Sequence, residues 1–365
     1  MAPCCGMRAF SRELYLPYIF FLATTRTFSS AMKAVILDGP GGPENMKIGD
    51  APKPTVKDDD VLIKVHATAL NRADILQRMG KYPPPKGESE IMGLETSGVV
   101  EFLGKNVRKK LRIGDKVMAL LAGGGYAEYV SVSESYVMKV PGSLSLLEAA
   151  SIPEVWLTAY QLLHFLGRIQ KDESVLIHAG GSGVGTAAIQ LAKLAGAKSF
   201  ITAGSKAKLD FAKSLGADHT ANYKEEDFQE AFQSETNGKG IDVILDPVGA
   251  SFWEKNAKLL AVDGRWVLYG LLGGMKIEGD LFRYLMSKRA QLLATTLRTR
   301  PHQYKKELID SFSENVLPYF ENGQLKPVID SVYEFNDIAE AHRVMESSSN
   351  TGKIVIKISS DKDEL

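Results

Sequence analysis

The sequence predicts an α/β chain in two parts, a β-rich domain followed by a doubly wound parallel sheet. Three observations carry this reading. Short strand-like segments crowd together between residue 32 and about residue 150, and from residue 151 onward helical and strand-like windows alternate. Within the second part, residues 174–185 read as a buried strand that ends in glycines and reopens as a helix.

In the first part, residues 32–37 form a strand, and Gly39-Pro40-Gly41-Gly42-Pro43 is a turn cluster. Residues 60–70, 98–102, 116–121 and 127–132 continue in strand-like alternation. In the second part the spacing predicts a helix over 156–166, strands over 199–203, 241–246, 265–270 and 291–297, and helices over 206–215 and 253–260. The last helices, over 304–320 and 338–346, and a strand over 353–358 are expected to return to the first domain. The expected division is a leader over 1–31, a first domain over 32–152 completed by 298–358, a second domain over 153–297, and a polar tail over 359–365.

The glycine turn Ala179-Gly180-Gly181-Ser182-Gly183-Val184-Gly185 organises the second part. The helix after it repeats apolar residues at Val184, Ala188, Leu191 and Ala195, one stripe for a sheet to cover, and Gly196 stands where a left-handed cap belongs. Glycines there let backbone N–H groups approach a pyrophosphate, and the helix N-terminus contributes about half a positive charge. Gly180, Gly183 and Gly185 do not fall into G-x-G-x-x-G, so a turn serving the fold alone is the competing reading, and context decides between them.

Composition narrows the function classes. Lys plus Arg and Asp plus Glu are 44 each, which removes a global electrostatic case for nucleic acid or an anionic membrane. The one basic run, Lys105 to Arg112, lies between strands and reads as a solvated loop. Both cysteines, Cys4 and Cys5, stand in the leader, and the six histidines show no short ligand spacing, so no metal site is expected in the body. Arg8 and Arg12 precede an apolar run over 14–23 that is too short to span a bilayer; it resembles a secretory signal, or with Arg26 to Ser30 a mitochondrial presequence. Lys362-Asp363-Glu364-Leu365 matches the ER-retrieval tetrapeptide, so the ER lumen is the expected compartment, with the mitochondrion, or the cytosol from a start at Met32, as alternatives.

The second strand of the sheet ends Thr202-Ala203-Gly204-Ser205-Lys206-Ala207-Lys208, without the acid that an NAD-binding fold places on the ribose 2′-hydroxyl. Ser205 can hydrogen-bond a 2′-phosphate and Lys206 or Lys208 can neutralise it, which favours NADPH.

Several motifs in order then resemble a known family: Asn71-Arg72-Ala73-Asp74, Gly93-Leu94-Glu95, Ile113-Gly114-Asp115, Pro153-Glu154-x-Trp156-x-Thr158-Ala159 and Gly180 to Thr186. They are similar to those of the zinc-free medium-chain dehydrogenases/reductases of the zeta-crystallin type. With Gly264 to Gly270 and Ser182 they are nearest the quinone oxidoreductase branch that a tumour suppressor induces. The resemblance covers residues 32 to about 358 and implies a GroES-like domain joined to a Rossmann domain, NADPH, quinone-like acceptors and a homodimer. It also implies metal-free hydride transfer from nicotinamide C4, because Asn71 stands where zinc-dependent relatives carry a ligating cysteine.

Residue by residue, the resemblance makes Tyr82 an active-site tyrosine on the nicotinamide side and Asn71 an amide near the reacting ring. Thr158 becomes a carboxamide contact, Ser182 with Gly183, Val184 and Gly185 a phosphate or ribose contact, and Tyr223 a neighbour of the adenosine beside Gly204, Ser205 and Lys208. Gly270 and Leu271 fall at the strand end beneath the nicotinamide, and Lys353 approaches the cofactor from the last strand. A helix-start role for Asn71 and a loop-anchor role for Tyr82 compete with these. The rival activities are a 2-enoyl thioester or α,β-enone reductase on the same fold, and a cofactor-binding crystallin-type protein with little catalysis.

Overall fold

The computed structural model describes residues 31–359; residues 1–30 of the expected leader and the retrieval tetrapeptide read from the sequence lie outside the described residues. Ala31–Leu37 and Met46–Pro52 pair antiparallel. Met46–Pro52 is not visible as a strand in the sequence, because Gly49 and Asp50 interrupt its pattern; the partner strand imposes the extended form.

A seven-stranded sheet follows, in the order Ile329–Glu334, Lys353–Lys357, Asp60–Ala69, Glu95–Leu103, Lys116–Leu120 and Val137–Lys139, with Tyr129–Ser133 also pairing Asp60–Ala69. The C-terminal strand thus pairs antiparallel with Asp60–Ala69, Val355 opposite Ala69. This pairing brings the start of the last strand, Lys353, against the end of Asp60–Ala69, where Asn71 begins helix Arg72–Arg78.

The second sheet holds six parallel strands in the order His219–Asn222, Lys198–Ala203, Ser174–Ile177, Ile241–Asp246, Leu260–Leu268 and Gln291–Ala294. Ser174–Ile177 is buried along its whole length and is the strand from which the chain winds out to either side. At such a reversal of strand order the crossover connections part and leave a crevice at the carboxyl ends. Helix Gly183–Leu194 rises from it, with Ala188 and Leu191 on its buried stripe and Gly196 in the left-handed region at φ +70°.

The predicted helix over 156–166 starts earlier, at Pro153, whose missing N–H costs nothing in a first turn. Beyond Tyr160 it widens into a π turn, Gln161–Leu166, where the Gly167 N–H reaches back five residues to the Leu162 carbonyl at 2.8 Å. Helix His302–Asn315 is shared between the sheets. Its Leu308, Ile309 and Phe312 join a core with Trp156, Tyr160 and Val175 of the second part and Met118, Leu120 and Met138 of the first.

Candidate active site

A cleft of about 880 Å³ opens at the carboxyl end of Ser174–Ile177 and runs from the glycine turn to the last strand. It brings together Asn71, Ser182, Gly183, Val184, Gly204, Ser205, Lys208, Tyr223 and Lys353, residues that span 282 positions of the sequence from first to last (353 minus 71).

Side chains crowd the glycines of the cleft floor, and a Cβ there would force them to shift. A Cβ on Gly183 would lie 2.7 Å from Lys353 Cδ, one on Gly181 2.9 Å from Lys208 Cδ, and one on Gly204 2.7 Å from the Tyr223 hydroxyl. Ala179, the last residue before the glycines, sits at φ +54°, a conformation that costs a non-glycine residue about 1–2 kcal/mol. Nothing in the sequence marks that strain. Ser182 caps the helix, its Oγ accepting from the Gly185 N–H at 3.0 Å, and it also lines the cleft.

At the end of the second strand the two lysines separate. Lys206 pairs with Asp210 in solvent at 2.6 Å, whereas Lys208 lines the cleft and donates to the Ser348 carbonyl at 2.7 Å. Lys224 joins Lys208 there. Burial lowers the Lys208 pKa, with Asp330 opposing and Lys224 adding to the effect.

The opposite end is a buried polar network. Lys353 Nζ lies 2.7 Å from Glu95 Oε1 and donates to Asn71 Oδ1 at 2.8 Å, while Asn71 Nδ2 donates to the same Glu95 oxygen at 2.8 Å. Asn71 starts a helix, with its own N–H on the Asp74 carboxylate at 2.8 Å, and it also lines the cleft. The Glu154 N–H donates to Glu95 Oε2 at 2.8 Å. Burial, and then the Glu95 charge, push the Glu154 carboxyl up to about 8. Asp74 is pushed up to about 6 by burial, against the hydrogen bond from Asn71 and the Lys353 charge. Glu95, Asp74 and Glu154 form this network behind the cleft lining, and sequence reasoning gave them no role; the acid following Gly93-Leu94 was the available signal.

This donor set does not suit a metal. An amide and an ammonium group occupy the space beside Glu95, and Lys353 already supplies the positive charge a cation would bring. A dinucleotide does fit the rest: the cleft ends on the N-terminus of helix Gly183–Leu194, and the Tyr269 hydroxyl on the cleft wall is buried with no partner of its own.

Five expected residues do not line the cleft. Gly185 is a packing glycine, where a Cβ would meet the Ala179 carbonyl at 2.4 Å, and Gly270 backs onto Pro247 O at 2.7 Å on the same measure. Leu271 is largely exposed, and Leu272 and Gly273 take the wall instead. Thr158 is partly exposed on helix Pro153–Tyr160. Tyr82 lies 5.3 Å from the Arg298 guanidinium, which in turn donates to Gln77 Oε1 at 2.8 Å and to the Ala122 carbonyl. Arg298, in a loop with no periodicity, was not foreseen.

His178, beneath the turn, is a satisfied core residue. Its Nδ1 lies 2.8 Å from Thr202 Oγ1 and its Nε2 2.7 Å from Asn256 Oδ1. Asn256 and Trp266 donate to Asp246 Oδ2, whose other oxygen accepts from the N–H groups of Val248 and Gly249 and so sets the wall of the cleft.

Comparison with known proteins agrees with this geometry. The alcohol dehydrogenase GroES-like domain matches residues 57–142, and the zinc-binding dehydrogenase domain matches residues 183–314. Human quinone oxidoreductase is 32% identical over 333 residues, covering 90% of this chain and 99% of that protein. The chain belongs to the medium-chain dehydrogenase/reductase superfamily, quinone oxidoreductase-like. Its parts are accordingly a GroES-like domain and a Rossmann-like parallel sheet, and the superfamily binds a nicotinamide cofactor. The crystal structure of CurK enoyl reductase superposes with a TM-score of 0.81 at 29% identity, over 91% of this chain and all of that one. A phenolphthiocerol/phthiocerol polyketide synthase from Mycobacterium tuberculosis is 30% identical over 337 residues, 90% of this chain but only 15% of the synthase.

Proposed function

We propose that this medium-chain reductase uses NADPH to reduce a quinone-like acceptor. The observation that carries the cofactor choice is the cluster of Ser205, Lys208, Tyr223 and Lys224 on one wall of the cleft, at a strand end with no acid to repel a 2′-phosphate. The nicotinamide, when bound, supplies the hydride. The chain's own residues then have three tasks. The glycine turn and the Gly183–Leu194 N-terminus hold the phosphates, and Asn71 and Lys353 fix the polar end of the cleft. Tyr82, outside the cleft lining beside Arg298 and kept protonated by burial, is the hydrogen-bond donor to the acceptor oxygen that the family resemblance implies.

An enoyl thioester or enone reductase is the second reading, favoured by the likeness to CurK enoyl reductase and to the polyketide synthase. Turnover of NADPH and NADH on ortho-quinones and crotonyl thioesters separates the two. Tight NADPH binding without oxidation on any acceptor would instead support the crystallin-type role.

A homodimer is part of the proposal. Gln291–Ala294 is the last strand of its sheet, and Phe282 and Met286, just ahead of it in the chain, are about four-fifths exposed, so a second copy on that edge would cover them. For location we propose the ER lumen, on the retrieval tetrapeptide Lys362 to Leu365 and the apolar leader.

A further inference from the structure

We infer that a second cavity, of about 370 Å³, binds an anionic group, a phosphate ester or a carboxylate, carried on the tail of the acceptor. Lys57, Arg298, Arg300, His302 and Lys305 line it, against the acids Asp60 and Glu88.

Arg298, Arg300 and Lys305 take neutral groups as their hydrogen-bond partners, while the Glu88 charge acts on Arg298 and Lys305 from the cavity wall. Arg298 spends its N–H groups on the Ala122 and Tyr82 carbonyls and Gln77 Oε1. Arg300 donates to Thr295 Oγ1 at 2.8 Å and lies 4.5 Å over the Tyr304 ring. Lys305 is 7% exposed, and its ammonium lies 3.5 Å from the Arg298 carbonyl and 4.8 Å from the Tyr136 ring, with the Glu88 and Glu154 charges acting on it without a hydrogen bond. A buried ammonium with partners this weak is costly unless a further acceptor reaches it.

The same cavity receives the start of helix His302–Asn315. That helix has no side-chain cap, and its first internal bond is Lys305 N–H to Pro301 O, so the N–H groups of its first three residues have no acceptor within the helix. An anion here would meet those N–H groups, Lys305 and Arg300 together. The site adjoins the acceptor because Arg298 both lines it and lies over Tyr82. The inference rests on the reading of Tyr82 as the acceptor side, and it names the acceptor class: a molecule with a reducible head and an anionic tail.

Calorimetric titration of the full chain, with and without saturating NADP⁺, tests this independently of turnover. The probes are butyryl-pantetheine, its 4′-phosphate ester and inorganic phosphate. The phosphate ester should bind about tenfold more tightly than the neutral thioester, and inorganic phosphate should compete with it. Arg300→Gln and Lys305→Met should each remove the advantage; Arg300, at the partly exposed rim, supplies the test if Lys305→Met does not fold. Equal affinities for the two thioesters, an advantage that survives both substitutions, or competition by phosphate without any gain for the ester would overturn the inference. Loss of quinone or enone turnover with the tenfold difference intact would overturn the proposed activity and leave the anion site standing.

Discussion

Lys353 Nζ and Glu95 Oε1 lie 2.7 Å apart in a pair almost wholly removed from water, joining the C-terminal strand to the strand Glu95–Leu103 of the first domain. The desolvation cost of two buried charges is offset here by Asn71, which binds both partners, and by the Glu154 N–H on the second Glu95 oxygen. Lys353→Met leaves Glu95 buried without a cation and should destabilise the fold by about 3–5 kcal/mol, read by urea titration. The double variant Lys353→Met/Glu95→Gln should recover much of that loss. If the double variant is no more stable than the single, the charge of Glu95 is not what Lys353 compensates.

Tyr82 presents its ring to Arg298 and keeps its hydroxyl uncommitted. Burial raises its pKa, Arg298 lowers it and Glu154 raises it further, so the phenol is a neutral donor across the working range. Tyr82→Phe should lower kcat/KM on quinones about tenfold, roughly 1.4 kcal/mol, without moving the Kd for NADPH. Unchanged kinetics would reduce Tyr82 to the loop anchor that its three following prolines also allow.

The phosphate wall yields a separate test. If Lys208, on the cleft wall, receives the 2′-phosphate as proposed, Lys208→Ala should raise KM for NADPH about tenfold and leave NADH within about twofold. Lys206→Ala, which removes only the solvent pair with Asp210, should change neither. Preference of the unmodified chain for NADH would refute the cofactor choice.

What was legible in the sequence was local. The glycine turn, its helix stripe and the Gly196 cap follow from one contiguous stretch over 179–196, and Ser205, Lys208 and Tyr223 follow closely on two adjacent strands, where the alternation of strand and helix already places them. The polar end was not local. Asn71 meets Glu95 across 24 residues and Lys353 across 282, and no periodicity says which of the chain's 44 acids is buried. Lys353 entered through the family resemblance alone. Arg298 and the positive φ of Ala179 had no signal, since one sits in an irregular loop and the other is a conformation that alanine gives no hint of adopting.

Glu154 gives the chain a pH dependence of stability whose sign is fixed. Its ordinary pKa near 4.5 rises to about 8 in the fold, first through burial and then through Glu95, with Lys353 opposing. The folded state therefore holds a proton that the unfolded state releases, so this contribution is complete below about pH 4.5 and is lost as pH rises toward 8. His342 acts in the opposite sense: burial and then Arg78 push it down to about 3, so its contribution is complete above about 6.5 and is lost as pH falls toward 3. Glu154→Gln keeps the shape and removes the first slope. Its Tm should match that of the unmodified chain near pH 4 and exceed it increasingly up to about pH 8, while the fall on the acid side of pH 6 persists. Parallel Tm curves for the two chains from pH 4 to pH 8 would mean that Glu154 is already ionised in the fold, and that Lys353 outweighs Glu95 and burial at that carboxyl.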